Sequence, residues 1–240
     1  MANDSKNITI VIPTYNEAEN IASISREIFQ CLPAGKIIFV DDDSKDGTEK
    51  IANSLVRADS RVKFISRKGK IRSFSQSYIE GFKAAFADGA DYIIQMDADF
   101  SHNPKYLPQI IENLGNYDIV IGSRYIKGGK VENWSLIRRL ISRGGSVYTQ
   151  IIAGLPLSDP TAGFVGWKKE SLEKIHLDEI RSNGYSFQIE MKYNAYKNNL
   201  KIKEIPITFT DRQLGASKMR KTIIIEAALF CWKLRFKNIF

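Results

Sequence analysis

The sequence predicts an α/β protein: an open, mostly parallel sheet with helices on its faces. Two observations carry this. Over roughly the first 125 residues, short unbroken apolar runs alternate with segments whose apolar residues recur at helical spacing, as expected of strands buried on both faces and joined by crossover helices. Three of those runs also stop at clusters of turn-forming or acidic residues, at 13–17, 41–48 and 97–102.

The elements follow in order. Ile8–Ile12 reads as the first strand, ended by Pro13. Asn16, three residues before Glu19, then forms a capping-box-like pair opening a helix with Ile21, Ile24 and Ile28 inward. Ile37–Val40 is the second strand; Asp46-Gly47 turns the chain, and Thr48 caps a helix that buries Ile51 and Leu55. Val62–Ile65 is the third strand, followed by a helix from Phe74 to Ala87. Tyr92–Met96 is the fourth strand, Pro104 to Leu114 a helix, and Ile119–Gly122 the fifth strand. The alternation then loosens. Gly128-Gly129 is a joint, Ser135–Ile152 a basic helix, Asp159–Gly166 a turn-rich return, 186–199 a helix, and Lys203–Phe209 an alternating strand. Ligands of such sheets bind beyond the carboxyl ends of the strands, so the three clusters should meet at one rim.

Composition narrows the function. Cys31 and Cys231 lie far apart, and with His at only two positions there is no zinc spacing and no disulfide framework, as in a cytosolic protein with reduced thiols. Met1–Asn7 reads as a frayed end, and Ile8–Ile12 is too short for a signal peptide. Thr222–Phe240 is the most apolar region, but Glu226, Lys233, Arg235 and Lys237 interrupt it, so no transmembrane span is expected. The net charge of +8 favours a polyanionic partner. Nucleic acid fits poorly, because acidic clusters occupy the ligand rim and would repel a phosphate backbone.

At that rim, Asp97-Ala98-Asp99 presents two carboxylates directly after a buried strand. Hard divalent cations take oxygen ligands, and Mg²⁺ commonly shares a site between carboxylates and substrate phosphates. The pair is therefore a candidate metal and diphosphate site.

Further residues carry a resemblance. Pro13-Thr14-Tyr15-Asn16-Glu17, Val40-Asp41-Asp42-Asp43-Ser44-Lys45-Asp46-Gly47-Thr48 and Met96-Asp97-Ala98-Asp99 look like the signature of inverting family 2 glycosyltransferases of the GT-A (Rossmann-like) fold. Gly122-Ser123-Arg124-Tyr125, Lys130–Trp134, Arg138–Ser142, Asp159–Phe164 and Arg212–Lys218 resemble one subgroup, the dolichyl- or polyprenyl-phosphate mannose synthases. The match runs in order over nearly the whole chain. It implies inverting transfer of mannose from GDP-mannose to a dolichyl or polyprenyl monophosphate, with Mg²⁺ or Mn²⁺, at the cytoplasmic face of a membrane. By the same resemblance Pro13, Tyr15, Glu17, Val40, Asp42, Asp97 and Ala98 hold the donor nucleotide, and Asp97, Asp99 and Ser101 surround the diphosphate and its metal. Arg124, Arg138 and Ser142 gather the acceptor phosphate, and Asp97, Asp99, Arg124 and Arg212 are the catalytic set.

Two departures stand out. Ser101 occupies a place where some relatives have Gln, and a glycine common before the helix carrying Tyr78 is replaced within Lys70–Phe74. A UDP-sugar donor, for example glucose, therefore stays open as the alternative. The chemistry has its own logic. A lipid monophosphate has a second pKa near 6 and is largely dianionic at pH 7, so it needs no general base. Metal and arginines suffice to bring two polyanions together and stabilise the departing diphosphate.

The expected division is a catalytic domain over 1–220 and an amphipathic interfacial helix over 221–240. On a helical wheel Glu226, Lys233 and Lys237 share one stripe, while apolar residues including Trp232 cover the rest. Such a helix lies in a membrane surface. Arg139 and Arg143 would add attraction to an anionic bilayer, and a small membrane-protein partner is compatible with the resemblance.

Overall fold

The computed structural model describes residues 6–211 and 221–236, backbone only at 221–224. In chain order the elements are β1 (Ile8–Thr14), α1 (Ile21–Cys31), β2 (Lys36–Asp41), α2 (Thr48–Ala58), β3 (Val62–Ser66), α3 (Phe74–Ala87) and β4 (Tyr92–Gln95). After a 3₁₀ turn come α4 (Leu107–Leu114), β5 (Ile119–Ser123), β6 (Lys130–Glu132), α5 (Leu136–Ala153), β7 (Val165–Lys168) and α6 (Lys169–Lys174). A second 3₁₀ turn leads to α7 (Gly184–Lys197), β8 (Ile202–Pro206), β9 (Thr208–Thr210) and α8 (Lys221–Phe236).

The strands form a seven-stranded sheet in the order β3-β2-β1-β4-β7-β5-β8, and β6 pairs with β9 as a small second sheet. Every pairing in the large sheet is parallel except the two made by β7. The expected mostly parallel α/β architecture is therefore present. Strand β1 is buried on both faces, with Ile10 and Ile12 facing one core layer and Val11 the other. Helix α3 lies very close over that second face: a Cβ at Gly81 would sit 2.3 Å from Val11 Cγ1. Only glycine permits this approach.

Three local expectations are corrected. Asn16 opens no helix: its φ is +56° and α1 begins at Ile21. Its backbone N–H donates to Ser44 Oγ and its Oδ1 accepts from the Lys45 N–H, so Asn16 ties two rim loops together. The region 159–166 is not all turn, because β7 starts at Val165 and slots antiparallel between β4 and β5. The strand expected over 203–209 is split at Ile207 into β8 and β9, which serve different sheets.

Helix α8 packs on α5 and α7, burying Cys231 and Leu234 in the main core. Tyr148 and Tyr193 donate to the Ala228 and Leu234 carbonyls at 3.2 and 3.0 Å. The described part of the 221–240 segment is thus packed into the same core as α5 and α7. Among the described residues no helix is long and apolar enough to cross a membrane.

Candidate active site

The parallel strands β1, β2 and β4 deliver the three clusters to one rim, where they line a small cavity of about 140 Å³. Pro13, Tyr15, Glu17, Asp42, Asp97, Ala98 and Asp99 all lie on its wall. Val40 does not. It is fully buried, its Cγ2 facing the Gly81 position of α3, because strand alternation turns it into the core. The neighbouring aspartates divide the work. Asp41 is spent inside the rim, accepting from Thr14 Oγ1 at 2.8 Å, Ser44 Oγ at 2.6 Å and the Ser44 N–H at 2.9 Å. Asp42 reaches the cavity, held by the Ser73 N–H at 2.7 Å and by the buried guanidinium of Arg67.

Arg67 was not among the sequence candidates. It is 3% exposed, pairs with Asp42 and Glu80, and donates to the Ile71 carbonyl. A basic run, Arg67-Lys68-Gly69-Lys70, directly after a strand was the available signal.

Asp97 and Asp99 sit between this cavity and a larger one of about 350 Å³. The Tyr78 hydroxyl donates to Asp97 Oδ1 at 3.0 Å. Burial, and then the Asp97 charge, hold the Tyr78 phenol well above its ordinary pKa, so it remains a donor. The Asp97 N–H donates to His102 Nδ1 at 3.0 Å, and the imidazole stacks on Phe164. Burial pushes His102 down against the pull of Asp97 and Asp99, so the ring stays neutral with Nδ1 as acceptor. Asp99 Oδ1 accepts from the Ser101 hydroxyl at 2.6 Å and its N–H at 3.1 Å. Both of the sequence's candidate metal carboxylates are thus oriented by neighbours.

The larger cavity also receives Arg124 and Arg138. Arg124 is 8% exposed and grips Asp159 with two prongs, Nε to Oδ2 at 2.7 Å and Nη2 to Oδ1 at 2.6 Å. Burial pushes Asp159 up, but the Arg124 charge and hydrogen bonds outweigh it and hold the carboxyl below its ordinary range. Nη2 also donates to Thr161. Only Nη1 of this guanidinium is without a partner among the described residues, so Arg124 offers a phosphate one edge at most. Arg138 stacks 4.0 Å from the Trp134 ring centroid and pairs with Asp211 at 2.5 Å. Ser142 accepts from the Tyr125 hydroxyl at 2.6 Å. Arg212 lies outside the described residues, as does the rest of the 212–218 motif.

Trp134, Arg138, Thr161 and Tyr185 line both the larger cavity and an apolar groove of about 410 Å³. That groove runs between α5, α7 and α8, past Ile141, Ser142, Tyr148, Ile189 and Ala227. Arg138 stands where the groove meets the chamber, and Ser142 lines the groove alone. The three cavities form one sequence from an acidic pocket through an arginine-lined chamber to a hydrophobic channel.

The chain matches Glycosyl transferase family 2 over residues 9–176. The undecaprenyl-phosphate mannosyltransferase of Micrococcus luteus is 39% identical over 222 residues, covering 92% of this chain and 91% of the relative. The polyprenol monophosphomannose synthase of Mycolicibacterium smegmatis is 39% identical over 220 residues, covering 91% and 83%. Glucosyl-3-phosphoglycerate synthase of Mycobacterium tuberculosis, solved with Mn²⁺, UDP and glucosyl-3-phosphoglycerate, superposes with a TM-score of 0.67 at 17% identity, covering 99% of this chain and 81% of that one. The same enzyme solved with Mg²⁺ and UDP gives a TM-score of 0.67 at 17% identity, covering 99% and 80%. At such identities the structural likeness speaks for the GT-A fold alone. This chain is a glycosyltransferase and belongs to glycosyl transferase family 2.

Proposed function

We propose that the protein transfers mannose from GDP-mannose to a polyprenyl or dolichyl monophosphate with inversion, giving a β-mannosyl phosphate lipid. The observation that carries this is the continuity of the cavities: Arg138, with Trp134, Thr161 and Tyr185, lines both the apolar groove and the chamber that Asp97 and Asp99 also line, and Ser142 lines the groove. The two relatives named for mannosyl transfer to polyprenyl phosphates support the same reading.

The nucleoside occupies the pocket of Pro13, Tyr15, Glu17 and Asp42, with Arg67 and the Ser73 N–H fixing Asp42. Asp97, Asp99 and the Ser101 hydroxyl give an oxygen donor set that fits Mg²⁺ or Mn²⁺. Among the described residues no three His, Cys, Asp or Glu side chains gather as a metal group. Substrate phosphates and water would then complete the coordination, as is usual for Mg²⁺. The cation supplies charge neutralisation to the departing diphosphate. Arg138, Ser142 and the open edge of Arg124 hold the acceptor phosphate, and Arg212 is assigned to the catalytic set by the resemblance in its motif. Positioning is the protein's main contribution, since the acceptor dianion is already a nucleophile at pH 7.

The acceptor's chain lies in the apolar groove, which fits a peripheral seat on the cytoplasmic face of a membrane. Leu136, Ile137, Leu140 and Ile151 of α5 are each at least 64% exposed, and Ile225, Leu229 and Trp232 are exposed on α8, the helix packed against it. The membrane-facing surface is therefore shared by two helices rather than carried by α8 alone. A small membrane-protein partner would dock on the same surface.

Radiolabelled donor supplied with polyprenyl phosphate, with and without Mg²⁺ or Mn²⁺, tests the reading. Label should enter the lipid from GDP-mannose and only with metal. Label from UDP-glucose alone would keep the chemistry and replace the donor.

A further inference from the structure

Arg72 stands on the wall common to the acidic pocket and the larger chamber, together with Phe74, Asp97 and Asp99. Its guanidinium carbon lies over the Tyr15 ring, 3.5 Å from the centroid. The backbone on either side is fixed. The Ile71 carbonyl accepts from Arg67, and the Ser73 N–H donates to Asp42 while the Ser73 hydroxyl caps α3. Arg72 is thus an exposed, reaching side chain on an anchored stem.

The acidic pocket is lined by Glu17, Asp42, Asp97 and Asp99, and among the described residues Arg72 is the one cation on its wall. In the chamber, Arg124 is committed to Asp159 and Arg138 to Asp211. Arg67 is committed to Asp42 and Glu80. Among the described residues, Arg72 has no carboxylate partner; its contact is the aromatic face of Tyr15.

We infer that Arg72 binds the diphosphate of the nucleotide donor where it crosses the wall that Arg72 shares with the two aspartates. The inference rests on the functional reading above, in which the nucleoside fills the pocket and the acceptor phosphate is held near Arg138; the transferred sugar must lie between them in the chamber, so the diphosphate crosses the wall where Arg72 stands. A guanidinium fork suits phosphate oxygens, and a charge-assisted pair with them is stronger than an exposed contact with a ring. Leaving Tyr15 for the diphosphate is therefore favourable, and it frees the ring face for the nucleobase.

The test is calorimetric binding of GDP, GMP, UDP and UMP, with Mg²⁺ present, to the wild type and to Arg72→Met and Arg72→Lys. The preference for GDP over GMP should fall about tenfold in Arg72→Met, the loss expected for one charged hydrogen-bonding contact. GMP binding should be little changed, and Arg72→Lys should recover part of the preference. Wild-type binding of UDP in place of GDP would revise the donor base, and the UDP to UMP ratio would then carry the same prediction. A diphosphate preference equal in wild type and Arg72→Met overturns the inference and leaves the functional reading standing. Failure of the wild type to bind either diphosphate overturns both.

Discussion

Arg124 and Asp159 form a two-pronged ion pair almost sealed from solvent, and Thr161 is drawn onto it by the same guanidinium. Asp159 is further held by its own N–H donating to Glu204. The pair therefore locks the 158–163 loop, which forms one wall of the chamber. Removing one partner leaves a buried charge uncompensated, so Arg124→Met should lower stability by about 3–5 kcal/mol. Arg124→Lys keeps the charge but loses the fork, and should fall between the two. Urea denaturation of the three proteins checks this; equal midpoints would show that the pair does not hold the loop.

Asp97→Ala and Asp99→Ala should each abolish transfer and remove any rise in melting temperature produced by Mn²⁺ with GDP. Their circular-dichroism spectra should match wild type, since both carboxylates line cavities rather than the apolar core. Near-normal turnover in either variant would show that the metal assignment is wrong.

Arg138 stands where the groove meets the chamber, stacked on Trp134. Arg138→Ala should raise the KM for polyprenyl phosphate at least about tenfold, as for loss of one charged contact, while shifting the KM for the donor little. Initial rates over a grid of both substrates decide it. The reverse pattern would move Arg138 to the donor side.

Lys192 gives a pH signature. Its Nζ is fully buried and donates to the Ala162 carbonyl at 2.7 Å and to Gln188 O and Oε1 at 3.3 and 3.4 Å. Burial brings its pKa from 10.5 down to about 7, with Asp159 and Glu204 opposing and Arg124 assisting. Between those values the unfolded chain binds the proton and the folded chain does not. Stability from this group therefore rises with pH from about 7 to about 10, and the cost of the buried charge is fully present below 7. The stability of wild type relative to Lys192→Met should climb across that window. A difference that stays flat from pH 6.5 to 10 would contradict it.

Leu140 and Ile151 are exposed on α5 and lie outside the groove lining. Leu140→Glu and Ile151→Glu should each weaken sedimentation with anionic vesicles, by tenfold or more if each residue contributes the about 1.5–3 kcal/mol of a buried aliphatic side chain. Transfer to a short, detergent-dispersed acceptor should survive. Unchanged vesicle binding would place the membrane contact elsewhere.

Much of this was legible in the sequence because strand ends and periodicity are local signals. The runs at Ile8–Ile12, Ile37–Val40 and Tyr92–Met96 located three strands, and the carboxylates after them located the rim. What escaped depended on distant partners. Arg67 and Lys192 look like surface basic residues until folding buries them beside Asp42 and the Ala162 carbonyl. Strand β7 is only four residues long and breaks the parallel pattern, so neither length nor alternation marked it. Helix α5 read as basic, and its exposed apolar residues emerged only once its packing against α8 showed which face was left uncovered.

The most direct test of the central claim is the structure of the lipid product itself. Wild-type protein should be incubated with GDP-mannose, Mg²⁺ and polyprenyl phosphate, and the anomeric configuration of the purified lipid read by nuclear magnetic resonance. A β-linked mannosyl phosphate, absent when Asp99 is replaced by Ala, is the predicted result. An α-linked product, or no mannosylated lipid from wild-type protein, would contradict the account.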